Sequence, residues 1–182
     1  MNEKVPSPFI EALQKIVGIP NVIAREEDLL VYECDAYTLE KQLPTAVVLP
    51  DSTDEVQAIV RACAAHNVPI IPRGAGTSLS GTVLAVTGGI MIALTRMNRI
   101  VDIDYANRRA FVEAGCVNAW VTNAVKGQVL FYAPDPSSQP ACTIGGNVGT
   151  NSGGPHTLKY GVTTNHVLGL EMVLPDGDNT QQ

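Results

Sequence analysis

The amino-acid sequence predicts a mixed fold of α-helices and β-strands, and two patterns carry this prediction. Residues 46–71 combine a short apolar run, an amphipathic helical period and a second apolar run, as a β-α-β unit does. Residues 90–114 then contain three short apolar segments separated by polar turns, which predicts further strands. At 182 residues the chain is the size of one large or two small domains, since domains usually contain roughly 100–200 residues.

Two helical segments are predicted ahead of the β-α-β unit. A helix over residues 8–17 begins at Pro8 and ends before Gly18, and both residue types suit those positions. The apolar residues that share one face of this helix are Ile10, Leu13, Ile16 and Val17. A second helical segment is predicted over residues 26–32. We therefore expect residues 1–42 to form an amino-terminal helical arm that precedes the main domain.

The β-α-β unit begins with a buried strand over residues 46–49, which Pro50 ends. Ser52 and Glu55 have the spacing of a capping box at the start of a helix. The apolar residues of that helix repeat at helical spacing and are Val56, Ile59, Val60, Cys63 and Ala64. Residues 68–71 form the second strand, which we expect to run parallel to the first because a helix connects them.

The remaining elements follow in order along the chain. Strands are predicted over residues 90–94, 100–104 and 110–114. Asn118 suits the cap of a helix that runs to about Lys126 and that Gly127 ends.

A final strand is predicted over residues 167–174. It runs into Pro175-Asp176-Gly177, which has the composition of a turn that leads to another strand. We therefore expect the natural chain to continue beyond Gln182.

Composition and charge exclude several classes of function. The net charge of −6 and the absence of a run of Lys or Arg argue against nucleic-acid binding, which needs a clustered basic face. Residues 1–8 contain no apolar core of signal-peptide length, and no later stretch approaches the ~18 apolar residues of a membrane span. Its cysteines are scattered without CxxC pairing, so we expect no metal site and interpret them as small buried side chains.

A glycine-rich loop, Pro72-Arg73-Gly74-Ala75-Gly76-Thr77-Ser78-Leu79-Ser80-Gly81, follows the second strand of the β-α-β unit directly. Glycine allows the backbone to bend with positive φ, and successive amides in such a bend form a concavity suited to anions. The loop has no Gly-Lys-Ser/Thr ending, which excludes a P-loop, and it does not open into a helix, which excludes a Rossmann fingerprint. The loop by itself fits either a phosphate cradle of another architecture or a structural turn.

A second segment, residues 143–154, contains five glycines among small polar side chains and almost no charge. We expect a loop here whose order comes from backbone hydrogen bonds or from a ligand such as a flat heteroaromatic ring. The alternative is a mobile surface loop. The preceding residues Pro134-Asp135-Pro136-Ser137-Ser138 form by themselves only a stiff turn.

Taken together, PRGAGTSLSG at 72–81, PDPSS at 134–138, TIGGNVGTNSGGPHTLKYG at 143–161 and VLGLEMVLPDG at 167–177 resemble one family. The chain is similar over residues 30–177 to the FAD-binding domain of vanillyl-alcohol-oxidase type flavoenzymes (the PCMH type). Within that superfamily it most resembles the glycolate oxidase D subunit and D-lactate dehydrogenases. The resemblance implies an α+β domain over residues 43–182, incomplete at its carboxyl end, with FAD between a first subdomain (about 43–105) and a second (about 106–182).

The resemblance also implies the residues that bind the cofactor. On the pyrophosphate side, through backbone amides, these are Arg73, Gly74, Ala75, Gly76, Thr77 and Ser78. On the flavin and ribityl side they are Pro134, Asp135, Ser138, Thr143, Gly145, Gly146, Asn147, Thr150, Asn151, Gly153 and Gly154. The backbone near Val173 is expected beside the adenine.

The implied activity is transfer of a hydride from C2 of a 2-hydroxy acid, such as glycolate or D-lactate, to flavin N5. The catalytic residues are expected in a later part of the protein, so this fragment alone is expected to be inactive. Implied partners are the hydroxy acid and other glycolate oxidase subunits, including an iron–sulfur subunit, with no nucleic acid and no direct membrane insertion. The expected location is the cytoplasm, with peripheral attachment at the inner face of the membrane as an alternative.

Two questions stay open from the sequence. The same loops suit a non-catalytic flavin-binding or assembly module of a larger oxidoreductase complex, or a truncated chain that binds nothing. His156 suits a proton relay, a covalent flavin attachment or a hydrogen-bonded structural role.

Overall fold

The computed structural model describes residues 7–181, and these form two compact units. The first unit comprises the described residues up to Arg96 together with those from Gly169 onward. The second unit comprises Met97–Leu168.

The first unit is built on a four-stranded sheet with helices packed on it. Its strands are β1 (Val22–Ile23), β2 (Ala46–Val48), β3 (Ile70–Arg73) and β4 (Ile90–Ala93), in the order β1-β2-β4-β3. Strands β2 and β3 run in the same direction, as predicted, but both pair with β4, which lies between them. The helices of this unit are α1 (Ser7–Val17), α2 (Glu26–Leu29) and α3 (Thr53–Ala65).

Both faces of this sheet are buried, because its two central strands are apolar at every position. Alternate residues point to opposite faces of a strand. One set, which includes Ala46, Val48, Ile90 and Ile92, packs in one core cluster with apolar residues of α1 and α3. The other set packs in a second cluster with Leu29 of α2. In the described part of the predicted amino-terminal arm, α1, β1 and α2 therefore contribute to the core of the first unit.

Helix α3 is capped as its sequence predicts. The Ser52 hydroxyl accepts a hydrogen bond from the Glu55 amide at 3.2 Å. The Glu55 carboxylate accepts one from the Asp51 amide at 2.7 Å, instead of from Ser52 as in a standard capping box. The hairpin β7 (Glu171–Val173) and β8 (Asn179–Gln181) contacts this helix, and Gln57 donates a hydrogen bond to the Gly177 carbonyl.

The second unit contains one antiparallel hairpin and three short helices. The hairpin pairs β5 (Ile100–Asp104) with β6 (Arg109–Val112), and Ile100 lies opposite Val112. The helices are α4 (Asn118–Val125), α5 (Ile144–Thr150) and α6 (Thr157–Tyr160). An isolated bridge between Val117 and Thr143 brings the starts of α4 and α5 together.

The unit boundaries differ from the predicted subdomain boundaries near residues 43 and 105. Strands β5 and β6 are two arms of one hairpin, so the division falls before β5, at Arg96, and not after it. Residues 169–181 belong to the first unit, where β7 and the turn at Gly177 are hydrogen-bonded to α3.

Three local predictions were wrong. Residues 144–150 form helix α5 instead of a loop: Thr143 caps the helix, and the amides of Ile144 and Gly145 bond to the carbonyls of Cys116 and Ala114. Asn118 does not cap α4: Val117 holds that position, and the buried Asn118 side chain bonds to Pro134 instead. The final strand, predicted over residues 167–174, is confined to β7, because only Glu171–Val173 pair with β8.

Candidate functional site

The glycine-rich loop of the first unit leaves β3 at Gly74 and runs to Gly81 without regular secondary structure. Among the residues that the structure describes, none accepts a hydrogen bond from the amides of residues 74–79. Residues 74–78 are nonetheless half-buried. Six consecutive free amides in one bend form a row of donors that suits an anion.

The bend of this loop is fixed at Gly76, whose φ of 69° lies in the left-handed region. A Cβ at this position would also lie 2.6 Å from Cζ of Arg73 and would overlap its Nη2. Glycine is therefore required at position 76 both by the backbone conformation and by the side chain beneath it.

Arg73 is the last residue of β3, and its side chain is turned into the protein, where only 8% of the residue is exposed. Nη1 donates a hydrogen bond to the Cys34 carbonyl at 3.0 Å, and Cζ lies 5.4 Å from the centre of the Tyr32 ring. Burial lowers the pKa of Arg73, while Tyr32, Asp35 and Cys34 act in the opposite direction. An arginine keeps its charge under such conditions, so the loop rests on a buried cation.

Asp35 lies next to Cys34, whose carbonyl accepts the Arg73 hydrogen bond, and it is 5% exposed. Its Oδ1 accepts a hydrogen bond from the Tyr37 amide at 2.8 Å. Its Oδ2 is buried and has no hydrogen-bond partner among the described residues. A buried carboxylate is costly unless a positive charge compensates it, and Arg73 supplies one nearby.

In the second unit, the glycine-rich segment begins α5 instead of forming a loop. Thr143 caps the helix, and its hydroxyl accepts a hydrogen bond from the Gly146 amide at 3.2 Å. Gly145 packs on Ala114, since a Cβ there would lie 2.8 Å from that of Ala114. At the other end, the Asn151 carboxamide accepts a bond from the Thr164 amide and the Thr150 hydroxyl donates to the Gly146 carbonyl. These side chains are therefore engaged in holding the helix.

Two further glycines permit close contacts with neighbouring residues. A Cβ on Gly153 would lie 2.5 Å from Oγ1 of Thr157, and one on Gly154 would overlap the backbone carbonyl of Asp135. Asp135 also bonds to His156, with 2.5 Å between Oδ2 and Nδ1. This hydrogen bond lowers the pKa of Asp135. His156 therefore makes the hydrogen bond that its structural role requires.

Asn147 differs from the other polar residues of this segment. It is 2% exposed, yet its Nδ2 has no hydrogen-bond partner among the described residues. Asn118, which is equally buried, donates to the Pro134 carbonyl at 3.1 Å and so fixes the PDPSS turn. In that turn Ser138 accepts from the amides of Ala141 and Cys142 through its carbonyl.

A cavity of about 300 Å³ lies beside this turn within the second unit. The residues that line it are Thr122, Phe131, Tyr132, Ala133, Asp135, Gln139, His156 and Tyr160. Its walls combine three aromatic rings with the Asp135–His156 pair.

Residues 44–181 match the model of a protein family described as the FAD binding domain. The chain belongs to this family. The predicted fold class, an α+β FAD-binding domain of the vanillyl-alcohol-oxidase (PCMH) type, is confirmed, and FAD is the cofactor of such a domain.

The glycolate oxidase subunit GlcD of Bacillus subtilis (strain 168) is 44% identical over 168 residues, covering 92% of this chain and 36% of the relative. D-lactate dehydrogenase of Anaerostipes hadrus is 36% identical over 177 residues, covering 96% of this chain and 37% of the relative. A solved structure of alkyldihydroxyacetonephosphate synthase has a TM-score of 0.88 at 23% identity, covering 98% of this chain and 36% of that one. The chain thus spans about a third of the length of the relatives it matches.

The described residues fit the cofactor of this family. Six unpartnered amides suit a pyrophosphate, and the orphan Nδ2 of Asn147 suits an acceptor atom on a bound ring. Within residues 7–181, no group of three or more His, Cys, Asp or Glu side chains is arranged to hold a metal ion. Among the helices in that part of the chain, none has the length and apolar character required to cross a bilayer.

The structure places residues 73–78 in the first unit and the predicted residues 134–154 in the second. Within the second unit it brings the PDPSS turn, Gly154 and His156 together. The sequence reasoning missed the segment that contains Tyr32, Cys34 and Asp35. No local pattern marks these residues, because their link to Arg73 joins positions 39 residues apart.

Proposed function

We propose that this chain is the FAD-binding portion of a flavin-dependent 2-hydroxy-acid dehydrogenase that oxidises glycolate or D-lactate. The observation that carries the cofactor assignment is the row of unpartnered amides at residues 74–79. The substrate class rests on the relatives, whose names are glycolate oxidase subunit and D-lactate dehydrogenase. The FAD-binding domain is proposed to extend over residues 43–182.

The pyrophosphate is proposed to bind at the first loop, whose residues are Arg73, Gly74, Ala75, Gly76, Thr77 and Ser78. Each charge-assisted hydrogen bond from an amide to a phosphate oxygen is worth roughly 1.5–3 kcal/mol. A few such bonds are enough to anchor a dinucleotide on an acidic protein with a net charge of −6.

The flavin and ribityl groups are proposed to contact the second unit, and we propose two roles for the candidate residues there. Asn147 has a free donor, so we propose that it bonds to the cofactor directly. The residues with local bonds or tight packing, such as Thr143, Gly145 and Gly154, are proposed to shape the surface on which the ring lies. The remaining proposed contacts are Pro134, Asp135, Ser138, Gly146, Thr150, Asn151 and Gly153.

When bound, FAD supplies the redox chemistry, because flavin N5 accepts the hydride that leaves C2 of the hydroxy acid. The described residues supply binding and orientation. We assign no catalytic base among them, since the chain spans only 36% of its glycolate oxidase relative. A catalytic base and cationic groups for the substrate carboxylate are proposed elsewhere in the intact protein.

The experiment is anaerobic reduction of the flavin in the intact natural protein that contains this chain. Loss of flavin absorbance on addition of glycolate or D-lactate is the expected result, with L-lactate as the stereochemical control. A protein that retains FAD but is reduced by neither acid would overturn the dehydrogenase assignment. It would then favour the non-catalytic flavin module.

We also propose that the protein works within a multi-subunit assembly, because its relative from Bacillus subtilis is named as a subunit of glycolate oxidase. An iron–sulfur subunit is the proposed electron-accepting partner, and the proposed location is cytoplasmic or peripheral at the inner face of the membrane. Co-expression with a candidate partner tests this. The expected result is one co-eluting complex that carries both flavin and iron–sulfur absorbance, and separate elution would count against it.

A further inference from the structure

We propose that the buried side chain of Arg73, and not only its backbone, gives the loop its preference for a pyrophosphate, with Asp35 as the residue that positions it. This inference rests on the proposed cofactor site and deepens it. The sequence assigned residues 73–78 to the cofactor through their amides alone, and the structure adds a charged side chain directly beneath them.

The position of the guanidinium group is the first argument. It lies against the bend of the loop, because a Cβ on Gly76 would come within 2.6 Å of Cζ. Burial removes most of the solvent that would screen its charge, since Arg73 is only 8% exposed. A cation in such surroundings acts on a nearby anion more strongly than an exposed one does.

The spare capacity of the guanidinium is the second argument. Arginine has five N–H donors, and in the described residues Arg73 makes one hydrogen bond, from Nη1 to the Cys34 carbonyl. The Tyr32 ring contributes a cation–π contact at 5.4 Å. The charge is therefore fixed in place without being neutralised by a close ion pair.

Asp35 completes the arrangement from the same segment. It is anchored through Oδ1, which accepts from the Tyr37 amide, and it adjoins Cys34, whose carbonyl accepts the Arg73 hydrogen bond. Its Oδ2 is buried and has no hydrogen-bond partner among the described residues. A buried carboxylate with a free oxygen is tolerated because a cation is close. In this proposal Asp35 is a positioning residue that acts through its charge and through the adjoining Cys34 carbonyl, which accepts from Arg73, and it does not contact the cofactor itself.

The test uses two probes that differ only in the pyrophosphate, namely ADP and adenosine. Each displaces FAD from the intact protein, and the released flavin is followed by its fluorescence. Replacing Arg73 with Met (R73M) is expected to weaken the binding of ADP by about tenfold, while the affinity for adenosine changes by less than about twofold. The charge-conserving variant R73K is expected to retain most of the preference for ADP.

A purely structural role of Arg73 predicts a different pattern. In that case R73M weakens the binding of ADP and of adenosine by the same factor, and R73K loses as much affinity as R73M. Either result would overturn the proposal. Thermal unfolding of both variants without ligand identifies any loss that comes from misfolding. R73K keeps the proposal testable if R73M does not fold.

The positioning role of Asp35 is tested by combining substitutions. Asp35→Asn keeps an oxygen for the Tyr37 amide and removes the charge. It is expected to lower the ADP preference about threefold in the presence of Arg73 and to have little effect in R73M, because coupled residues are not additive. Equal effects in both backgrounds would refute the positioning role.

The outcomes separate this inference from the proposed function. If the intact wild-type protein fails to bind FAD, the proposed function fails first. If it binds FAD and is reduced by a 2-hydroxy acid while R73M keeps the full preference for ADP, only the role of Arg73 is refuted.

Discussion

Gly76 and Arg73 are in such close contact that any side chain at position 76 would displace the guanidinium group below it. The glycine is thus required by the protein itself, before any cofactor binds. A substitution at this position therefore strains the backbone and moves a buried cation, in addition to any effect on the cofactor.

Gly76→Ala is expected to lose FAD and also to lower stability. Both effects follow from the φ of 69° and from the overlap with Arg73. Gly88→Ala is the matched control, because Gly88 also has a positive φ, of 76°, but a Cβ there would meet no atom within 4 Å. Gly88 precedes β4 and so lies at the opposite end of the sheet from the loop. Each variant should lose about 1–2 kcal/mol from the left-handed backbone, measured by denaturant unfolding.

Only Gly76→Ala should lose FAD affinity, by about tenfold or more, because only it moves the cation. Fluorescence titration with FAD distinguishes the two variants. If Gly88→Ala loses FAD to the same extent, the effect comes from general destabilisation and not from the Arg73 contact.

Asn147→Ala is expected to weaken FAD binding while costing the apoprotein little stability. Its Nδ2 makes no hydrogen bond in the described structure, so none is lost. Asn118→Ala is the matched comparison, because Asn118 is equally buried and donates to the Pro134 carbonyl. Leaving that carbonyl unpaired should cost about 1–3 kcal/mol in the unfolding free energy.

The corresponding loss of FAD affinity in Asn147→Ala should be about tenfold. Isothermal titration of apoprotein with FAD gives this value directly. Unchanged affinity would show that the free Nδ2 serves no cofactor atom.

The Asp135–His156 pair should make stability depend on pH in the acidic range. The hydrogen bond from His156 lowers the pKa of Asp135 in the folded state. The stabilisation is therefore fully present above the ordinary aspartate pKa of about 3.9 and is lost as the pH falls through the lower folded value. Asp135→Asn removes this contribution, so the difference in unfolding midpoint between wild type and variant should shrink as the pH falls below the ordinary aspartate pKa of about 3.9. A difference in unfolding midpoint that stays constant from about pH 6 down through the ordinary aspartate pKa would contradict this expectation.

Cys34 should react with thiol reagents before the other cysteines of the chain. It is half-buried, whereas Cys63, Cys116 and Cys142 are buried. Burial also raises the pKa of Cys63 and of Cys116 to about 11, which suppresses their reactive thiolate form at neutral pH. Peptide mapping after brief alkylation of the native protein measures the order, and Cys34→Ser should abolish the fast label. Early labelling of Cys63 would contradict the burial of α3.

The elements with a clear period were predictable from the sequence. The apolar runs at residues 46–48 and 90–93 form the buried strands, and the period of residues 53–65 forms α3. The motifs at 72–81 and 143–161 also identified the family that the comparison with residues 44–181 shows. Such features depend on neighbours within a few residues, so they can be read along the chain.

Features that depend on distant residues could not be predicted in this way. The insertion of β4 between β2 and β3 follows from strand pairing across the sheet. The glycines of residues 144–150 suggested a loop, but the cap at Thr143 and the packing of Gly145 on Ala114 hold them in a helix. Intrinsic helix propensity is a weak preference, and tertiary contacts override it here.

The sequence alone determined that the chain has a β-α-β unit, two glycine-rich segments and the motifs of an FAD-binding domain. Only the tertiary structure decided that Arg73 lies buried beneath Gly76, beside Tyr32 and Asp35. The physical reason is the range of the interactions. Periodicity and capping act between near neighbours, whereas a buried charge must find its partners across the fold, here 39 residues away at Cys34.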